Sequence, residues 1–176
     1  MAYQSLNPAT GKVLKTFEPL TDAQLEQKLA QAGQCYETWR RKTYAERAVI
    51  VAKAAELLHE KADVYARTLT LEMGKRINEA RGEVEFSSSI LAYYAKNAER
   101  FLAPQPLHPT AGEAHMESTP IGVIFCVEPW NFPCYQLARV AGPPLMAGKV
   151  PAGRQRDNVP QGPIPAEERW AGAGRP

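Results

Sequence analysis

The chain has 176 residues, of which 44% are hydrophobic and 23% charged, proportions of an ordinary globular domain that argue against a disordered chain. Its formal net charge is +2, from 21 Lys and Arg against 19 Asp and Glu interleaved along the chain, which argues against a nucleic-acid footprint and favours small molecules or other proteins as partners. No apolar run approaches the ~20 residues that span a bilayer, and "MAYQSLNPATGK" lacks the order of a signal peptide, so a cytoplasmic location with no membrane partner is expected.

The first predicted element is a β-hairpin. Strand-like pieces flank Asn7-Pro8-Ala9-Thr10-Gly11, where proline presets a turn angle and glycine tolerates positive φ. Thr21 and Gln24 read as a capping box, and Leu25, Leu29, Ala32 and Tyr36 then recur at helical spacing, predicting a first helix to about Trp39. Thr43 and Glu46 repeat the box. Behind them Ala48, Val51, Ala55, Leu58, Ala62, Tyr65 and Leu69 form one stripe that predicts a single second helix closing at Met73-Gly74. A third helix is predicted from about Ile77 to Leu102, stopped near Pro104 and Pro106.

After these helices "AHMEST", from Ala114, reads as an exposed or half-exposed strand. "VIFCV", from Val123, is a continuous apolar run of the kind found in a parallel strand covered on both faces. A helix from Cys134 to Met146 follows, with Gly142-Pro143-Pro144 expected to interrupt it. From Lys149 the chain is dense in Pro, Gly and Arg; it is expected to be loosely ordered and to supply no second buried strand. The order of elements suggests an α/β fold, rich in helix, with one unit over 1–148 and a tail over 149–176.

Several motifs fail on inspection. "GPPLMAGKV" has five residues between its glycines where a phosphate-binding loop has four, and Val150 stands where a metal-binding hydroxyl belongs. "GAG" at Gly172 follows no strand. Glu79, Glu83 and Glu85 are interleaved with Arg76 and Arg81, so a solvated helix face with surface pairing is expected in preference to paired catalytic carboxylates. Cys35, Cys126 and Cys134 show no metal or disulfide spacing, and His59, His108 and His115 are scattered; no metal site is indicated. Cys126 reads as core. Cys134 stands just past the strand end, where a helix N-terminus would stabilise a thiolate, but with no base beside it a structural role is the better reading.

The corner "EPWNFP" carries the chemistry. Ligands of open α/β sheets bind outside the carboxyl ends of the strands, and Pro129 and Pro133 hold the loop between them in few conformations. Asn131 offers uncharged N–H donors there, suited to an oxyanion hole. The plainer alternative is that Asn131 caps the turn while Trp130 and Phe132 belong to the core.

"NPATGKVL", "LEMGK", "EARGEVE", "YYA", "PIGVI", "EPWNFP" and "AGPPLMAGKV" stand in an order and spacing that resemble the aldehyde dehydrogenase superfamily, nearest to its bacterial NAD(P)-dependent succinate-semialdehyde members. The resemblance covers about Met1 to Val150. It implies an incomplete Rossmann-like cofactor domain with hairpin arms that serve oligomerisation. It implies that Asn131 stabilises the oxyanion after a cysteine thiolate attacks the aldehyde, and that Val127, Pro129, Trp130 and Asn131 line an NAD or NADP pocket. Arg154 stands where the family has a lysine that contacts the adenosine ribose.

The family's glycine-rich loop, base glutamate and nucleophilic cysteine would fall beyond Pro176, and neither Cys126 nor Cys134 matches the nucleophile's motif. The strand after "MAG" is expected to be broken by Pro151 and Gly153, and the tail reads as a degenerated or frame-shifted form of the family sequence. Two functions are therefore expected. One is a fragment of an enzyme that oxidises an aldehyde, succinate semialdehyde by likeness, inactive alone and with cofactor binding weak or lost. The other is a non-catalytic assembly module that docks on a full-length relative.

Overall fold

In the computed structural model, which describes residues 3–155, the N-terminal hairpin pairs β1 (Tyr3–Leu6) antiparallel with β2 (Val13–Phe17). Asn7 shapes the turn: its Oδ1 accepts from the Ala9 N–H at 2.9 Å, and its main-chain carbonyl accepts from Gly11, at φ +67, at 2.8 Å.

Both predicted capping boxes form. In α1 (Asp22–Trp39) and α2 (Tyr44–Glu60), Thr21 and Thr43 accept from the backbone N–H three residues on, while Gln24 and Glu46 reach back to the cap. The second stripe, however, is divided: α2 ends at Glu60 and α3 (Ala62–Met73) starts after Lys61. Leu58, Ala62 and Tyr65 keep helical spacing through the break, so periodicity cannot reveal it. Packing supplies the reason. Val51, Ala54 and Ala55 enter one core cluster with α4 (Ile77–Phe101) and α5 (Pro133–Met146), whereas Tyr65, Ala66 and Leu69 enter another with Ala80 and Val84.

Trp39 closes the larger cluster from α1, its Nε1 donating to the Leu145 carbonyl at 2.9 Å. Tyr36 donates to the Pro120 carbonyl at the same distance. Helix α5 approaches α4 so closely that a Cβ on Gly142 would lie 3.2 Å from the Tyr94 ring. The expected interruption there does not occur. Pro143 and Pro144 fall in the last turn, so the two i→i−4 bonds that their missing N–H groups forgo lie at the end of the ladder and the turns before them stay helical. That turn is closed instead by Gly148 donating to Leu145 and Lys149 donating to Pro144, a Schellman motif with Gly148 at φ +81.

Strand β4 (Ala114–Met116) forms where expected and pairs antiparallel with β3 (Gln105–Leu107), an exposed partner that sequence reasoning missed. Strand β5 (Val123–Glu128) departs from the expected burial. Cys126 and Glu128 are buried, but Val123, Phe125 and Val127 on the alternate face are 38%, 65% and 63% exposed, so the described residues cover one face only.

The expectation that Pro151 and Gly153 break the strand after Lys149 is corrected. Strand β6 (Val150–Gln155) runs parallel to β5 in unbroken register, from Val123 opposite Val150 to Glu128 opposite Gln155. Among the described residues it is an edge strand, where a proline lacking an N–H is tolerated because its other side needs no donor. The expectation of loose order for the remainder of 149–176 falls, past Gln155, outside the described residues. With α5 between β5 and β6, the helix-rich fold is α/β with a parallel βαβ unit.

Gly148 sets the start of β6, and a Cβ there would collide with the buried Arg47 guanidinium. Gly148→Ala is expected to lose at least about 1–2 kcal/mol from the left-handed backbone alone. A urea unfolding midpoint indistinguishable from the parent's would contradict this account of the turn.

Candidate functional site

Strand β5 delivers the chain to Pro129, and α5 restarts it at Pro133. Phe132, the N-cap, has no capping side chain, so the first N–H groups of α5 need an acceptor from elsewhere. Glu83 of α4 supplies it. Its Oε1 accepts from Cys134 N at 2.9 Å and Tyr135 N at 3.2 Å, while Oε2 pairs with Lys75 Nζ. The pair is shielded, with the Glu83 side chain 2% and the Lys75 side chain 9% exposed. Lys75 also donates to the main-chain carbonyl of Asn131 at 2.9 Å and lies 3.9 Å from the centre of the Phe132 ring.

Glu83 therefore corrects the expectation of a wholly solvated acidic face. Its neighbours fit that expectation better: Glu79 pairs with Arg76 at 3.6 Å and Glu85 contacts His59 Nδ1 at 2.6 Å, both exposed, while Arg81 turns to Asp63. The missed signal was spacing. Ala80, Glu83, Val84, Ser87 and Leu91 fall on one helical stripe, and all are buried.

Asn131 is exposed at the tip of the corner, but its side chain is engaged: Oδ1 accepts from Gln136 Nε2 at 3.1 Å. Trp130 is exposed beside it. Phe132 is also exposed, not core as the plainer sequence reading had it, and its ring meets Tyr135 edge-on at 6.2 Å. Val127, Pro129, Trp130 and Asn131 are consecutive or nearly so around this corner. The β5–β6 register sets the Cα of Arg154 opposite Val127, at the same carboxyl edge.

Just before the corner, burial raises the carboxyl pKa of Glu128, with Arg139 opposing. None of the three cysteines is activated. Burial raises the thiol of Cys35, and burial reinforced by Glu128 raises that of Cys126. The Cys134 thiol is pushed up to about 12 by burial and then by Glu83, with only partial relief from Lys75. The helix N-terminus does not rescue it, because the Glu83 carboxylate already occupies that end. Among the described residues there is no group of three or more His, Cys, Asp or Glu able to hold a metal, and no helix long and apolar enough to cross a membrane.

Two expectations follow from this geometry. Lys75→Met leaves Glu83 buried without its counter-ion and should cost about 3–5 kcal/mol by urea denaturation, with Glu83→Gln in the same chain recovering part of the loss. A cost below about 1 kcal/mol would instead describe a surface pair. Cys134 should resist a thiol reagent at neutral pH in the folded chain and react once urea unfolds it. Because its folded pKa is raised from 9.0 to about 12, the stability this thiol contributes is fully present below pH 9 and is lost as pH rises through that interval.

The family model that matches the chain is the aldehyde dehydrogenase family, over residues 1–151. The chain is 38% identical, over 99% of its length, to the succinate-semialdehyde dehydrogenase [NADP(+)] of Deinococcus radiodurans, of which it covers 36%. It is 37% identical over its whole length to a probable enzyme of the same name from Synechocystis, covering 39% of that protein. Among solved structures, that of Gox0499 superposes with a TM-score of 0.97 at 42% identity, covering 100% of this chain and 39% of that one. Succinic semialdehyde dehydrogenase from Streptococcus pyogenes, solved with NADP+, gives 0.93 at 37% identity, covering 98% of this chain and 38% of its own. The chain thus spans less than two fifths of the length of these relatives. A match over residues 1–151 and identity along nearly the whole chain have one meaning: it belongs to the aldehyde dehydrogenase family.

Proposed function

We propose that this chain forms the cofactor-side and oxyanion-side part of an enzyme that oxidises succinate semialdehyde to a carboxylate with NADP or NAD. The observation that carries the reading is the state of Asn131: both its carbonyl oxygens accept hydrogen bonds from the protein, while its side-chain amide keeps donors to offer at the carboxyl edge of two parallel strands. Such a donor stabilises negative charge on the aldehyde oxygen during attack. The names of the relatives support the substrate and favour NADP.

The corner fits a dinucleotide on its own chemistry. Exposed Val127, Pro129 and Trp130 provide an apolar wall, and the β5–β6 edge sets Arg154 in the neighbouring position. The bound dinucleotide would supply the hydride acceptor. Asn131 would hold the aldehyde oxygen, and Lys75, through the Asn131 carbonyl, would keep the loop from shifting. With all three cysteines held as thiols, turnover by these 176 residues alone is not expected.

The exposed apolar face of β5 favours a second reading, in which the chain acts as an assembly module against a full-length relative. Fragment complementation separates the two. The chain is mixed with the remaining C-terminal portion of the Deinococcus relative, and reduced cofactor is followed after adding succinate semialdehyde. Turnover dependent on both pieces supports the enzymatic reading, and a stable mixed complex without turnover supports the module. Two pieces that neither associate nor turn over would refute both.

A further inference from the structure

The Asn131 amide has two faces, an acceptor and a pair of donors, and only one can point outward usefully. Gln136 sits one turn into α5, buried, and donates from Nε2 to Asn131 Oδ1 at 3.1 Å; its own Oε1 is buried without a hydrogen-bond partner among the described residues. Turning Asn131 alone would set donor against donor. Turning both amides would restore the bond but place the Gln136 NH₂ group, with two donors, where one carbonyl oxygen now lacks a partner. Buried orphan N–H groups are tolerated less well than under-satisfied carbonyls. The observed rotation is therefore the favourable one, and it leaves Nδ2–H₂ as the unspent face of Asn131.

We propose that Gln136 is a positioning residue: by donating to Asn131 Oδ1 it fixes the amide rotation that makes Asn131 a donor to the aldehyde oxygen. This rests on the reading of Asn131 given above. Lys75 complements it by holding the main-chain carbonyl of the same residue. Two variants separate hydrogen-bond polarity from packing. Gln136→Glu, once ionised, can only accept; it should draw an Asn131 N–H to itself and spend the donor, whereas its protonated form can donate as glutamine does. Gln136→Met keeps the length of the side chain and makes no hydrogen bond.

The first measurement uses the whole chain with ¹⁵N-labelled asparagine. In Gln136→Glu at neutral pH, one Asn131 side-chain proton should shift and exchange with solvent at least tenfold more slowly than in the parent, and acidification should reverse this. In Gln136→Met both side-chain protons should stay fast and the restricted rotation should be lost. Unchanged Asn131 side-chain signals in both variants overturn the proposal, and if the Glu variant does not fold, the Met variant decides. The second measurement is turnover in the complementation assay. Asn131→Ala should lower kcat by about 10²–10³-fold, Gln136→Glu should approach that loss with KM little changed, and Gln136→Met should fall between. A kcat that falls with Asn131→Ala but not with either Gln136 variant overturns the positioning role alone. A kcat indifferent to Asn131→Ala overturns the functional reading, while the spectra still report on the contact itself.

Discussion

The Lys75–Glu83 pair is the constraint on which the corner depends. Removing a carboxylate and an ammonium from water costs several kcal/mol per ion, and their attraction offsets this only if the remaining hydrogen-bonding capacity is used. Here most of it is used. Glu83 takes two N–H groups of α5 with one oxygen and Lys75 with the other, and Lys75 spends a further proton on the Asn131 carbonyl. These charge-assisted bonds join the residues just past α3, the second turn of α4, the corner and the start of α5. Lys75 is itself placed by Gly74, at φ +74, whose open side lies against Pro8: a Cβ there would be 3.0 Å from the proline ring. The exposed hairpin turn is thereby linked to the corner through two residues.

This arrangement also decides which group near the corner can do chemistry. A helix N-terminus ordinarily favours an anion or a thiolate. At α5 the Glu83 carboxylate takes that place, and the nearby Cys134 is left buried against a negative charge. A cysteine at a helix start, suggestive in sequence, is thus silenced by its burial first and then by a glutamate fifty-one residues earlier. Asn131, uncharged and at the surface, engages the protein through its oxygens and not through its side-chain N–H donors.

Much of the fold was legible because its signals are local. Thr21 with Gln24 and Thr43 with Glu46 announce helix starts through bonds spanning three residues, and Pro104 marks the end of α4 just as locally. The misreadings arose where distant partners decide. The break at Lys61 follows from two separate cores, neither visible in an uninterrupted stripe. Pro151 and Gly153 speak against β6 in the sequence, although parallel pairing with β5 tolerates both at an edge. The corner was recognised through Asn131 and its flanking prolines, but Gln136 and Lys75 were not, since neither residue type at its position signals contact with Asn131. Glu83 could have been found, because a charged residue on an otherwise apolar stripe must have a partner.

The remaining disagreement concerns β5, and its origin lies in what a strand sequence records. "VIFCV" is apolar on both faces, the pattern of a parallel strand enclosed between layers. Helix α5 and its neighbours cover one face; the face bearing Val123, Phe125 and Val127 is open among the described residues. An apolar stripe of this kind on a parallel strand is unfavourable in water and is ordinarily matched by a second layer. The sequence pattern thus records two apolar faces, of which the described residues cover one. The same strand carries Val127 and leads directly into Pro129, Trp130 and Asn131, so any apolar surface laid on that face would exclude water from the corner too, and hydrogen bonds strengthen where water is excluded.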